Sequence, residues 1–172
     1  MSFEEAIDNV NKLLEKLSDV RREALQKLPV VKSAAFNILF DVVNRALKVL
    51  NTVNEIEKKV ELDRGFKRIC GNWILMKEED RLSIKKLKPL RILTYVQNEG
   101  KVLITNGEVS LELSPSSIKL GLRGRNIVIS DISLDGISEN TDLIKSLGRY
   151  LFELVDTLAD TLGRCLKSLG ML

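Results

Sequence analysis

Hydrophobic positions along the chain change period twice, and the changes divide it into three parts. From Phe3, apolar residues recur at Ile7, Val10, Leu14, Leu17, Ala24 and Leu28, in steps of three and four with one gap at Arg21. That is one stripe of an amphipathic helix. Ser2 with Glu5 three residues on is a capping-box signature, so a helix is expected over 2–28. Pro29 ends it, because proline lacks an N–H and disfavours helical geometry in the residue before it. A second stripe, Phe36, Leu39, Val43, Ala46, Leu50, Val53 and Val60, predicts a helix from Ser33 to about Leu62, and Phe40, Leu47 and Ile56 widen it. Two stripes of similar length with a short link predict an antiparallel helical hairpin over 1–63.

After Asp63-Arg64-Gly65 the period falls to two. Strands are predicted at Phe66–Met76, Arg81–Lys85, Leu90–Gln97, Lys101–Thr105, Glu108–Leu113, Ser117–Leu122 and Asn126–Ile132. The links between them are turn-like, and Asn106-Gly107 is the strongest short hairpin signal among them. Strands this close in sequence, with no helical pattern between them, predict an antiparallel meander over 64–135. Val109, Leu111 and Leu113 share one face, as do Ile118, Leu120 and Leu122, while Lys119, Gly121 and Arg123 point the other way.

From Ser138 the period returns to 3.6. Leu143, Leu147, Leu151, Leu154, Leu158, Leu162, Cys165 and Leu169 form an unbroken stripe, so a long helix is predicted within 136–172, with Ser138 as its N-cap. Glu139 and Asp142 suit the positive end of its dipole. Gly148 and Gly163 each cost about 1 kcal/mol relative to alanine in a helix interior, which packing has to offset unless they admit another backbone closely. The expected fold is α+β and one domain: a helical hairpin, an antiparallel β-meander and a long C-terminal amphipathic helix.

Composition narrows the function classes. Apolar residues at 44% and charged residues at 30% exclude a disordered chain. No run of 18 apolar residues exists to span a membrane, and the acidic N-terminus has no apolar leader segment, so a cytoplasmic protein is expected. There is no histidine. That removes Ser-His and Cys-His dyads and any Cys/His zinc site. Phosphate-binding and dinucleotide-binding glycine motifs are missing; Gly121-Leu-Arg-Gly124 sits between strands and opens no helix. Glu78-Glu79-Asp80 is the one triplet that suggests a carboxylate-metal enzyme, but such runs ordinarily mark a solvated turn. The expectation is a non-catalytic protein with no cofactor and no metal. Cys70 and Cys165 are read first as two buried thiols acting as small hydrophobes. The alternative is a disulfide, which intracellular proteins of hyperthermophiles do form; the Lys/Glu-rich composition fits such a source.

Charge is what changes the picture. Residues 64–125 hold thirteen Lys and Arg against six Asp and Glu, a net +7, while residues 1–63 carry −1 and residues 126–172 carry −3. Gathered cations neutralise phosphates, and single strands also need exposed rings on which bases stack. The expected function is sequence-tolerant binding of single-stranded nucleic acid, DNA favoured. Lys85, Lys88, Arg91, Lys119, Arg123 and Arg125 are the candidate phosphate contacts, and Trp73 and Tyr95 the candidate stacking rings. A structural or adaptor subunit, using helices and sheet as assembly surfaces, is the alternative.

The order of parts, a helical region, then a basic antiparallel sheet with a few aromatics, then a leucine-striped last helix, resembles the ThermoDBP-type single-stranded DNA-binding proteins of thermophilic archaea. The resemblance spans the chain as architecture. It implies a DNA cleft between helices and sheet and association through the last helix. A homodimer is therefore expected, with Leu147, Leu151, Leu154, Leu158, Leu162 and Leu169 as its seam, because a stripe this long extends past what one compact domain easily covers; the alternative is that the N-terminal hairpin covers it within one chain.

Overall fold

In the computed structural model, residues 2–170 are described. They form α1 (Phe3–Lys27), α2 (Val30–Val60), eight strands, a short α3 (Leu134–Ser138) and α4 (Thr141–Gly170). Ser2 caps α1, its hydroxyl accepting from the Glu4 N–H. The Glu5 carboxylate reaches across the fold and accepts from Gln97 Nε2 at 3.2 Å. Pro29 is the residue before α2, so that helix starts three residues earlier than its stripe suggested. The gap in the α1 stripe has a use: the Arg21 guanidinium lies 4.0 Å from the centre of the Phe40 ring on α2, closing the hairpin with a cation over an aromatic face.

The strands are β1 (Gly65–Ile69), β2 (Trp73–Lys77), β3 (Arg81–Leu87), β4 (Leu90–Val96), β5 (Lys101–Thr105), β6 (Val109–Leu113), β7 (Ile118–Leu122) and β8 (Arg125–Ile129). They form one antiparallel sheet in sequence order, an uninterrupted meander. The expected first strand, Phe66–Met76, is in fact β1 and β2. Cys70 and Gly71 both take left-handed backbone (φ 51° and 76°) and fold the chain back within three residues. The apolar residues on either side mask this turn in the sequence.

Alternation buries one face of the sheet. Trp73, Leu75, Ile84, Leu93, Ile104, Leu111 and Leu120 join the helices in one core. The other face has no layer over it among the described residues. It carries Phe66, Ile74, Met76, Ile92, Leu103 and Val128 interspersed with Arg68, Lys85, Glu112 and Lys119.

The start of the last helix differs from expectation. Ser133 caps α3, accepting from the Gly136 N–H, and α4 begins at Thr141. Ser138 instead ends α3, its hydroxyl donating to the Leu134 carbonyl.

The leucine stripe is covered inside one chain, which corrects the expected dimer seam. Leu147, Leu151, Leu154, Leu158 and Leu162 are buried, and Leu169 packs half-buried against the core. The cover is α2. Its 31 residues make a rod of about 46 Å, as long as the stripe. The two helices run in the same direction: Lys145 Nζ donates to the Val31 carbonyl, Gly148 faces Ile38, and Arg45 pairs with Asp156 at 2.6 Å. The N-terminal hairpin, through its long second helix, covers the stripe and removes the reason for a partner copy there. The stripe ends in Leu172, which lies outside the described residues.

Gly148 is where α2 approaches α4. A Cβ on it would lie 3.1 Å from an Ile38 methyl, whereas one on Gly163 would meet nothing within 4 Å. One of the two glycines thus admits a neighbour and the other does not.

Candidate nucleic-acid interface

A meander puts its turns alternately at two ends of the sheet, and here the ends differ in charge. One end holds the turns β1–β2, β3–β4, β5–β6 and β7–β8. Arg68, Lys85, Lys86, Lys88, Arg91, Arg123 and Arg125 lie there, in a turn or in one of the last two cross-strand rows. Glu108 is the one acid among the sheet residues at that end. The opposite end carries Glu78, Glu79, Asp80 and Glu99 against Arg64, Lys77, Arg81 and Lys101, and so is close to neutral. The net +7 of the sheet segment is therefore polarised along the strands.

The six predicted phosphate contacts divide accordingly. Lys88, Arg123 and Arg125 are exposed at the basic end. Arg91 is there too, half-buried, its Nη1 donating to Thr161 Oγ1 at 3.2 Å and so tying β4 to α4. Lys85 points to the free face between Ile74 and Ile92. Lys119 does not join this group: it stands mid-face, directly opposite Glu112 on β6. Glu112 also lies 3.6 Å from Lys101, and Glu112 and then Glu99 raise the Lys101 pKa above the ordinary lysine value. That part of the face is internally compensated.

Neither predicted stacking ring is available. Trp73 is 2% exposed and Tyr95 is 1% exposed, both on the face under the helices. The alternation rule explains the error: Trp73 leads a strand whose next inward residue is Leu75, and Tyr95 follows Leu93 at the same spacing. Burial first, and then the Glu5 carboxylate beside it, push the Tyr95 phenol above its ordinary pKa. The sheet ring that faces outward is Phe66, 74% exposed on β1, opposite Met76 and two residues from Arg68.

Cys70 and Cys165 form a disulfide, with Cα atoms 5.5 Å apart, so the reading of two separate thiols is corrected. The bond ties the β1–β2 turn to the C-terminal part of α4. Beside it opens a cleft of about 450 Å³, lined by Trp73 and Lys86 from the sheet and by Thr161, Arg164 and Ser168 from α4, with Cys70, Gly71 and Asn72 at its rim. Sequence reasoning missed Lys86 and Arg164. Lys86 shares the inward parity of Leu82 and Ile84 and so reads as a core-side position, but it lies where the sheet ends and the core opens. Arg164 is next to Cys165, so the disulfide pairing was the signal that could have placed it by the sheet. A second pocket alongside, about 180 Å³, sets Arg91 against Glu108 and Glu153, so its charge is mixed.

The Glu78–Asp80 triplet is an exposed turn between β2 and β3, and no group of three candidate metal ligands forms among the described residues. No described helix is long and apolar enough to cross a membrane. No family model, curated protein or solved structure matches this chain.

Proposed function

We propose that the protein binds single-stranded nucleic acid, DNA in the first instance, without sequence preference and without catalysis. The observation that carries this is the polarity of the meander, which gathers seven cations and one acid at one end of the sheet. The cations around Lys86 and Arg91 and those at Arg123 and Arg125 stand three to five strands apart, or roughly 15–25 Å at the usual strand spacing. A small anion cannot bridge that distance; a phosphate backbone can. Phe66, toward the other end of β1, takes the stacking role, since it offers an exposed ring on the same face of the sheet as Arg68. Trp73 and Tyr95 take no part.

Fluorescence anisotropy with a labelled single-stranded oligonucleotide tests this. Phe66→Ala should weaken binding by about 1–3 kcal/mol if a base stacks there, with the fold intact because the ring is exposed. Loss of no affinity on removing Phe66 would reject the stacking role.

A second reading has one observation in its favour. The free face of the sheet leaves Phe66, Ile74, Met76, Ile92, Leu103 and Val128 wholly or partly in water. Such a face suits an adaptor that docks a partner protein. Oligonucleotide binding that is absent even at low salt would favour it.

A further inference from the structure

The cleft beside the disulfide adjoins the basic end of the sheet and shares Lys86 with it, but it is a concavity between sheet and α4 rather than an open strand end. Lys86 enters it from β3 and Arg164 from α4, with the hydroxyls of Thr161 and Ser168 on the same helix side. No carboxylate lines it among the described residues, and neither Lys86 nor Arg164 forms an ion pair with a described residue. Cations concentrated in a concavity with low-dielectric walls, here the Trp73 ring and the disulfide, focus a positive potential there.

We propose that this cleft holds the dianionic phosphoryl group of a phosphate monoester, with Arg164 and Lys86 as its two cationic partners. Two lining cations balance a monoester dianion, whereas an internal phosphodiester carries a single charge. Arginine presents a planar fork that suits two phosphate oxygens, and lysine serves as a point charge. The volume of about 450 Å³ exceeds what a bare phosphate needs and leaves room for the nucleoside that carries it. The monoester comes either from the terminal phosphate of a bound strand or from a free mononucleotide. Only the first source rests on the function proposed above.

Trp73 supplies the readout, because it is the one tryptophan of the chain and lines the cleft. The oxidised full-length protein is titrated with inorganic phosphate, adenosine 5′-monophosphate and adenosine while Trp73 fluorescence is followed. In parallel, anisotropy is measured for one oligonucleotide bearing a 5′-phosphate, a 3′-phosphate or neither. The mononucleotide should perturb Trp73 saturably and adenosine should not. A terminal phosphate at one end should tighten oligonucleotide binding about tenfold, as charged hydrogen bonds of this kind allow. Arg164→Gln and Lys86→Gln should each erase most of that preference, and Arg164 is exposed enough that the fold is unaffected. A mononucleotide response without oligonucleotide binding would support the cleft and assign it to free monoesters, while removing the function proposed above. Oligonucleotides that bind equally with and without terminal phosphate, together with a Trp73 signal unmoved by the mononucleotide, would overturn the cleft and leave that function standing.

Discussion

Lys86 and Arg91 stand directly opposite each other on β3 and β4, two like charges paired across neighbouring strands on the face turned toward the helices. Such a pair costs stability rather than adding it. Neither side chain forms an ion pair with a described acid, although Glu108 and Glu153 line the pocket beside Arg91, and the hydroxyl of Thr161 receives the arginine. A sheet selected for stability alone would place an acid at one of the two positions.

The first prediction follows from that pair. Lys86→Gln should raise stability by a few tenths to about 1 kcal/mol, because the cross-strand repulsion is relieved. The same change should weaken oligonucleotide binding. Urea unfolding and anisotropy on the same preparation check both signs. A variant that is less stable and binds as before would show that Lys86 is a structural residue.

The disulfide is a large stabiliser by position. It links Cys70 to Cys165 across a separation of 95 residues. Closing a loop of that size should contribute about 4–5 kcal/mol through the unfolded chain. Unfolding midpoints of the oxidised protein and of a Cys70→Ser, Cys165→Ser double variant measure it. Equal midpoints would mean that the β1–β2 turn and α4 are held together by packing alone.

The two glycines of α4 should respond in opposite ways to alanine. Gly163 meets open space, so Gly163→Ala should stabilise by up to about 1 kcal/mol through helix propensity. Gly148→Ala gains the same propensity but drives a Cβ against Ile38 at the α2 contact. It should be neutral or destabilising, since crowding a packed core ordinarily costs about 1–3 kcal/mol. Thermal unfolding of the two variants decides it, and equal stabilisation would show that the helices can part at no cost.

Much of the fold was legible in the sequence, and what was lost was lost for local reasons. The α-hairpin, the meander and the last helix follow from hydrophobic period, because period reports burial and burial builds elements. The Cys70-Gly71 turn did not show, since its neighbours continue the apolar alternation of a strand. The candidate site was legible as charge but not as geometry. Lys88 and Arg123 lie in turns and Arg125 opens β8, where a cation has nowhere to point but solvent. Trp73 and Tyr95 were misread because a ring can serve a core or a ligand, and only the phase of the strand decides between them. Arg164 belongs to a helix distant in sequence, and nothing local links it to Lys86.

Tyr95 should make the fold sensitive to alkali. Its folded pKa lies above the unfolded value of about 10, because burial and the Glu5 carboxylate beside it both disfavour the phenolate. A raised pKa means that the folded state holds the proton more tightly. This contribution is fully present below the unfolded pKa and is lost as pH rises through the folded one. Stability should fall in that alkaline window, and Tyr95→Phe should flatten the fall. An ultraviolet titration in which Tyr95 ionises at the ordinary value would contradict it.

The salt dependence of oligonucleotide binding is the most direct test of the basic end of the sheet as a phosphate surface. Binding of a single-stranded oligonucleotide should weaken steeply with added salt, by about 0.7 in log–log slope for each phosphate neutralised. Lys88→Ala with Arg125→Ala removes two exposed cations, one in a turn and one at the start of β8, and should reduce that slope by about 1.4 with the fold unchanged. The same pair of changes at Lys12 and Lys16, exposed on the α1 helix whose Glu5 and Asn9 meet the opposite end of the sheet, should leave it alone. No binding at low salt, or a slope that is the same in all three proteins, would contradict the assignment.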